Sequence, residues 1–136
     1  KDYCLDMALR LEKALQQRGF KTLLTRRTDT FLTLSQRVDI ANRTKNAIFV
    51  SMHFNSSGSR DANGIETYAL APQGTSSTNG GSPWSSLLSG NVGDFEGGFI
   101  TNSAEGKLIH DPEHRQRVVD SVANAIVRFK TAVSKK

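Results

Sequence analysis

Few residues in this chain could do chemistry. Of its three histidines, His53 stands where the most apolar run ends: Ala47-Ile48-Phe49-Val50 leads into Ser51-Met52-His53-Phe54-Asn55-Ser56. Ligands of open α/β sheets gather beyond the carboxyl ends of the strands. An imidazole there can bind a metal or carry a proton; the structural alternative is a hydrogen-bonded rim residue. His110 and His114 have the i,i+4 spacing that places two side chains on one helix face. Asp111-Pro112 opens a helix between them, so His110 falls outside it and a surface pair is the better reading. Glu66 alternates with Ile65 and Thr67, either as a solvent-facing carboxylate or as a site residue. Arg26 and Asp29 follow a strand-like run, and a loop pinned by an ion pair accounts for them better than a cleft does. Glu96 precedes Gly97-Gly98 and can be read as a turn residue. Cys4 is the only cysteine, which excludes an internal disulfide and a cysteine-rich zinc site; it reads as a small core residue.

The elements that must position these groups follow from periodicity. Residues 2–18 read as an amphipathic helix with Cys4, Ala8, Leu11 and Leu15 on one stripe and Asp6, Arg10, Lys13 and Gln17 on another. Asp2 is the expected cap and Gly19 the expected stop. Residues 20–25 read as a strand, and 26–31 as a polar loop. Thr33 and Gln36 have capping-box spacing at the start of a second helix, with Leu34, Val38 and Ala41 facing one way. The unbroken run over 47–52 suits a strand covered on both faces, and 64–70 alternates like a third strand. The segment 71–94 is rich in Gly, Ser, Thr and Asn. It is expected to be a poorly ordered loop or an insertion, or to conceal a deletion, with Trp84, Leu87 and Leu88 able to form a short anchoring turn. Asp111 caps a final helix with Pro112 as its first residue and Val118, Val122, Ile126 and Phe129 as its buried stripe. Alternation of helix and strand implies a single layered α/β domain over 1–136, with a twisted, mostly parallel sheet and helices on both faces.

At 136 residues, 37% of them hydrophobic and 23% charged, the chain is long enough for one core and is neither disordered nor membrane-spanning in composition. The net charge of +5 suits an anionic partner. The basic residues are dispersed, however, with no aromatic-and-basic interleaving, so nucleic acid is the weaker choice.

With the elements in place, several blocks occur together in order: Thr25-Arg26-Arg27-Thr28-Asp29 followed by Leu34, Arg37, Ala41 and Asn42; Phe49-Val50-Ser51-Met52-His53-Phe54-Asn55; Gly64-Ile65-Glu66-Thr67-Tyr68; and Glu96-Gly97-Gly98-Phe99-Ile100-Thr101-Asn102. With Asp2–Gly19 as a first long helix, the chain resembles the zinc-dependent N-acetylmuramoyl-L-alanine amidases of the type 3 family, which cut peptidoglycan. The resemblance covers most of the chain outside 71–94.

That resemblance implies a twisted sheet between helices, a zinc held by His, Glu and His, and a further catalytic Glu. It makes His53 the last zinc ligand and Glu96 the catalytic glutamate, with Asn55, Glu66 and Arg26 as candidate cleft-lining residues. It also implies peptidoglycan as the partner, with no nucleic acid, and action in the cell envelope (periplasm) or outside the cell. The family's Gly-His-Gly-Gly turn and N-terminal strand have no counterpart here. Its zinc-binding Glu lies just ahead of a Lys-Asp pair like Lys1-Asp2, and its helix and strand before the catalytic Glu are replaced by residues 71–95. The chain is therefore expected to be a partial catalytic domain, feebly active at most as given. Its sheet is expected to expose an edge that invites self-association. The alternatives are a non-catalytic peptidoglycan-binding relic of the same fold, or a basic nucleic-acid-binding module.

Overall fold

The computed structural model describes residues 1–69 and 91–134, with Tyr68, Ala69 and 91–94 described through their backbone. Helix α1 (Asp2–Gln17) buries Met7, Leu11, Ala14 and Leu15, the i, i+4, i+7, i+8 stripe of an amphipathic helix. Lys1, not Asp2, occupies its cap position, and no side chain caps it. Asp2 instead sits in the first turn, where a carboxylate meets the positive end of the helix dipole. Gly19, at φ +77°, ends the helix: its N–H bonds to the Gln16 carbonyl and that of Phe20 to the Leu15 carbonyl, each at 3.0 Å.

Residues 20–25 are not a strand. A strand requires a neighbour's ladder, and among the described residues none pairs with this segment. Helix α2 (Leu34–Arg43) begins at the expected capping box: Thr33 Oγ1 accepts from the Gln36 N–H at 3.3 Å, and Gln36 Oε1 accepts from the Thr33 N–H at 2.9 Å.

Strands β1 (Ile48–Asn55), β2 (Glu66–Ala69) and β3 (Asn91–Phe99) form a sheet of order β1-β3-β2. The expected sheet is mostly parallel; among the described strands β1·β3 is parallel and β2·β3 antiparallel. β3 corrects the reading of 71–94, because 91–94 belong to the central strand. Polar residues and Gly93 hid it, yet a central strand is held by ladders on both sides whatever its hydropathy. The rest of that expectation, with Trp84, Leu87 and Leu88, falls at 71–90 and lies outside the described residues.

Helix α3 (Ser103–His110), which the sequence reading did not foresee, follows β3 directly, capped by Asn102 Oδ1. Helix α4 (Pro112–Val133) begins as expected, with Asp111 Oδ1 accepting from the Glu113 N–H at 2.9 Å.

Helices cover both faces of the sheet. Met7, Leu11, Ala14 and Leu15 of α1 pack with Val118, Val119, Ala123 and Ile126 of α4 on Met52 and Phe95, joined by Ile48, Val50 and Phe54. On the other face Val38, Leu34 and Ala41 of α2 pack on Phe49. The C-terminal stripe is shifted from the expected one: Val119 and Ala123 are fully buried, whereas Phe129 is 42% exposed. Phe129 lies in the last turns of α4. Arg115 locks α1 to α4 and α3, since Nε donates to Asp6 Oδ2 at 2.7 Å and Nη1 to the Ile109 carbonyl at 2.6 Å.

Candidate functional site

His53, Glu96 and Glu66 form one cross-strand row. His53 pairs with Glu96 across the parallel ladder, and Glu96 pairs with Glu66 across the antiparallel one. Paired residues point to the same face of a sheet. The face is that of Phe49, because Met52 and Phe95, one residue earlier in each strand, point into the α1/α4 core. His53 and Glu96 each lie within the last four residues of their strands. Glu96 is therefore a strand residue, not a turn residue. Its Oε2 is buried, so one carboxylate oxygen is removed from water while the residue as a whole is half-buried.

A bulge sits immediately after the row. The register passes from His53↔Glu96 to Asn55↔Phe99, so β3 spends one more residue than β1 over this interval. Gly97 and Gly98 occupy it for different reasons. A Cβ on Gly97 would come within 3.0 Å of Phe54 Cε1 and 3.2 Å of Phe95 Cε1. Gly98 has φ +124°, which side chains rarely adopt.

The remaining candidates separate. Asn55 and Glu66 join the row's margin: Asn55 Nδ2 donates to Glu66 Oε2 at 2.8 Å, and Asn55 Oδ1 accepts from the Ser56 N–H at 2.8 Å. The Asn55 carbonyl accepts from the Ile100 N–H at 2.9 Å, which ties the end of β1 to the end of β3. Arg26 serves its loop. Nη1 donates to the Thr28 carbonyl at 2.9 Å, Nη2 to the Lys1 carbonyl at 3.3 Å, and Asp29 lies 3.7 Å away. Lys1 Nζ meets Asp29 at 2.8 Å, a contact that holds the Asp29 carboxyl below its ordinary range. Arg27 pairs with the buried Glu12. The loop thus clamps the start of α1.

His110 ends α3, where its Nδ1 lies 2.8 Å from the Tyr3 hydroxyl and its ring is edge-on to the Tyr3 ring. Cys4 lies close enough for the charges of Arg26 and Glu96 to reach it. Burial is the largest influence on its thiol and pushes the pKa up, which favours the thiol over the thiolate.

Among the described residues no three His, Cys, Asp or Glu side chains converge as a metal requires. The described residues alone therefore do not complete a zinc site. Nor is any described helix long and apolar enough to cross a membrane. The residue that sequence reasoning missed is Glu105, whose carboxylate braces the bulge. Its only signal was its place three residues after the Asn102 cap.

Comparison with known proteins bears on the whole arrangement. The family model for N-acetylmuramoyl-L-alanine amidase matches residues 1–93, a span that includes His53 and Glu66 and stops short of Glu96. The uncharacterised protein YqiI of Bacillus subtilis (strain 168) is 30% identical over 93% of this chain and 72% of its own length. The N-acetylmuramoyl-L-alanine amidase AmiC of Escherichia coli O6:H1 is 35% identical over 57% of this chain, and the match spans only 19% of AmiC. The solved catalytic domain of CwlV, an N-acetylmuramoyl-L-alanine amidase from Bacillus (Paenibacillus) polymyxa var. colistinus, superposes with a TM-score of 0.83 at 30% identity. That superposition covers 96% of this chain and 84% of the CwlV domain. Matched motifs, family model and fold agree: this chain belongs to the N-acetylmuramoyl-L-alanine amidase family, as part of its catalytic domain.

Proposed function

We propose that the protein hydrolyses the peptidoglycan amide between the lactyl group of N-acetylmuramic acid and the first L-alanine of the stem peptide, acting in the cell envelope or outside the cell. The observation that carries this reading is the His53–Glu96 pairing across one ladder, on the sheet face away from the main core. His53 is the zinc ligand that this segment contributes. Zinc, when bound, acidifies water and polarises a carbonyl. Glu96 moves the proton: it takes one from the attacking water and returns it to the departing amine. The C–N bond breaks, leaving a lactyl carboxylate and a free L-alanine amino group. Glu66 and Asn55 line the margin and fix the end of β1. The net charge of +5 suits the anionic wall polymer.

The test is release of L-alanine amino termini from purified peptidoglycan by the full-length protein with zinc. His53→Ala is expected to abolish release and to lower the amount of zinc bound. Full activity in that variant would refute the assignment, and wall binding without release by the parent protein would mark a binding module instead. Residues 1–136 alone, with one ligand in the row, are expected to release little. Robust, His53-dependent release by this segment would show that its own residues complete the site.

A further inference from the structure

We propose that Glu105 is a positioning residue for Glu96, holding the bulge that separates the catalytic row from the rest of the domain; the inference rests on the amidase reading above. Glu105 lies in the first turn of α3, behind the Asn102 cap. Its two carboxylate oxygens are divided between the end of one strand and the loop that leads into another. Oε2 accepts from the Phe99 N–H at 2.7 Å, at the end of β3, and Oε1 accepts from the Gly64 N–H at 2.7 Å, two residues before Glu66. Both are charge-assisted bonds to backbone donors. One carboxylate therefore joins the end of the strand that carries Glu96 to the approach of the strand that carries Glu66.

The bulge explains why such a brace is required. An extra residue in one strand disrupts the ladder and leaves backbone groups without their usual partners. Here the Phe99 N–H goes to Glu105 instead. Gly98 makes room: a Cβ on it would lie 3.4 Å from Glu105 Oε2 and 3.5 Å from Cδ, so the carboxylate packs where a side chain would otherwise stand. Neighbouring bonds fasten the same junction. Asn102 Nδ2 donates to the Arg60 carbonyl at 3.0 Å, and the Ser57 N–H donates to Thr101 Oγ1 at 3.1 Å. Glu105 bonds to both β2's approach and β3's exit. Released from it, the bulge could slide by a residue, and a one-residue slip in a strand turns its side chains to the other face.

Glu105→Gln in the full-length, zinc-loaded protein tests this. Glutamine has one acceptor oxygen, so one of the two N–H groups would face an amide NH2. The expected result is a fall in kcat of about tenfold or more with KM within about twofold, because Glu105 touches no substrate but misplacement at a reacting centre is costly. Amide hydrogen exchange is expected to quicken at Gly64 and Phe99 and to stay unchanged at the start of β1. An unchanged kcat would overturn the proposal, and so would exchange that quickens uniformly through the sheet. Should the Gln variant not fold, Glu105→Asp, too short to span both donors, is read by the same criteria. Absence of stem-peptide release by the parent protein would sink the amidase reading; the exchange pattern at Gly64 and Phe99 would then decide the brace by itself.

Discussion

Met52 and His53 are adjacent in the chain, as are Phe95 and Glu96, yet each pair is split between opposite faces of the sheet. Met52 and Phe95 face a broad layer built from α1 and α4, in which Met7, Val119 and Ala123 are almost wholly excluded from solvent. His53 and Glu96 face the side where, among the described residues, Val38 is the single buried apolar residue of a small cluster. One face carries the stability and leaves little room. The other, among the described residues, is more thinly covered and carries the proposed catalytic groups. The pleat makes the separation possible, since alternate residues of one strand serve opposite faces. It also makes the site dependent on the core, because a strand held firmly on one face cannot shift on the other.

The strongest way to break this contrast is to substitute across it. Glu96→Gln is expected to reduce amide hydrolysis by about 10²–10⁴-fold, the usual contribution of a positioned acid–base group, with a melting temperature within a few degrees of the parent. Phe95→Ala, one residue away, is expected to cost about 3–5 kcal/mol of stability through the cavity it leaves. Activity assays and denaturant titrations on both variants measure it. A Glu96→Gln protein that unfolds, or a Phe95→Ala protein of unaltered stability, would erase the division between the faces.

A smaller effect sharpens the description of the core side. Arg115 is almost buried and reaches Asp6 and the Ile109 carbonyl while lying over the Tyr3 ring at 4.6 Å. Arg115→Ala is expected to cost about 3 kcal/mol, as removal of one partner of a largely buried pair does. Burial works against the charge on Asp6, but hydrogen bonds from Arg115 and Arg10 more than offset it, and its pKa is lowered. A carboxyl whose pKa is lower folded than unfolded adds stability above its unfolded value, about 3.9, and loses it as pH falls through the folded value. The parent protein should therefore lose this contribution below about pH 4, and Arg115→Ala should lose less over the same interval. Denaturant midpoints measured from pH 6 to pH 2.5 would show it; parallel curves would mean that Arg115 does not set the Asp6 ionisation.

The mildest change lies on the thin face. Thr33→Ala removes one half of the α2 capping box and is expected to cost about 1 kcal/mol without changing KM. A loss several times larger would show that α2 contributes more to the sheet than its small cluster suggests.

How much of this could be read from the residues alone differs element by element. The start of α2 at Thr33 and of α4 at Asp111-Pro112 was legible because caps are local: donor and acceptor lie within three residues of each other. The apolar run of β1 was legible because burial on both faces leaves an unbroken hydrophobic signature. His53 and Glu96 were picked out by matching motifs. Nothing in their forty-three-residue separation states that they are partners; the β1–β3 register does. The segment 20–25 has strand-like residues but no ladder, and 91–94 has loop-like residues but occupies the central strand. Strand identity belongs to the pairing, and local composition does not determine it. Glu105 shows the same limit, since its two donors lie 41 and 6 residues away. By itself the sequence determined helices α1, α2 and α4, the caps that start α2 and α4, the apolar strand and the family to which the chain belongs, because those signals are short-range or repeat as motifs. Only the tertiary structure decided which strands adjoin, which face each candidate occupies and what holds the bulge in place, because hydrogen bonds between strands join residues that the chain keeps far apart.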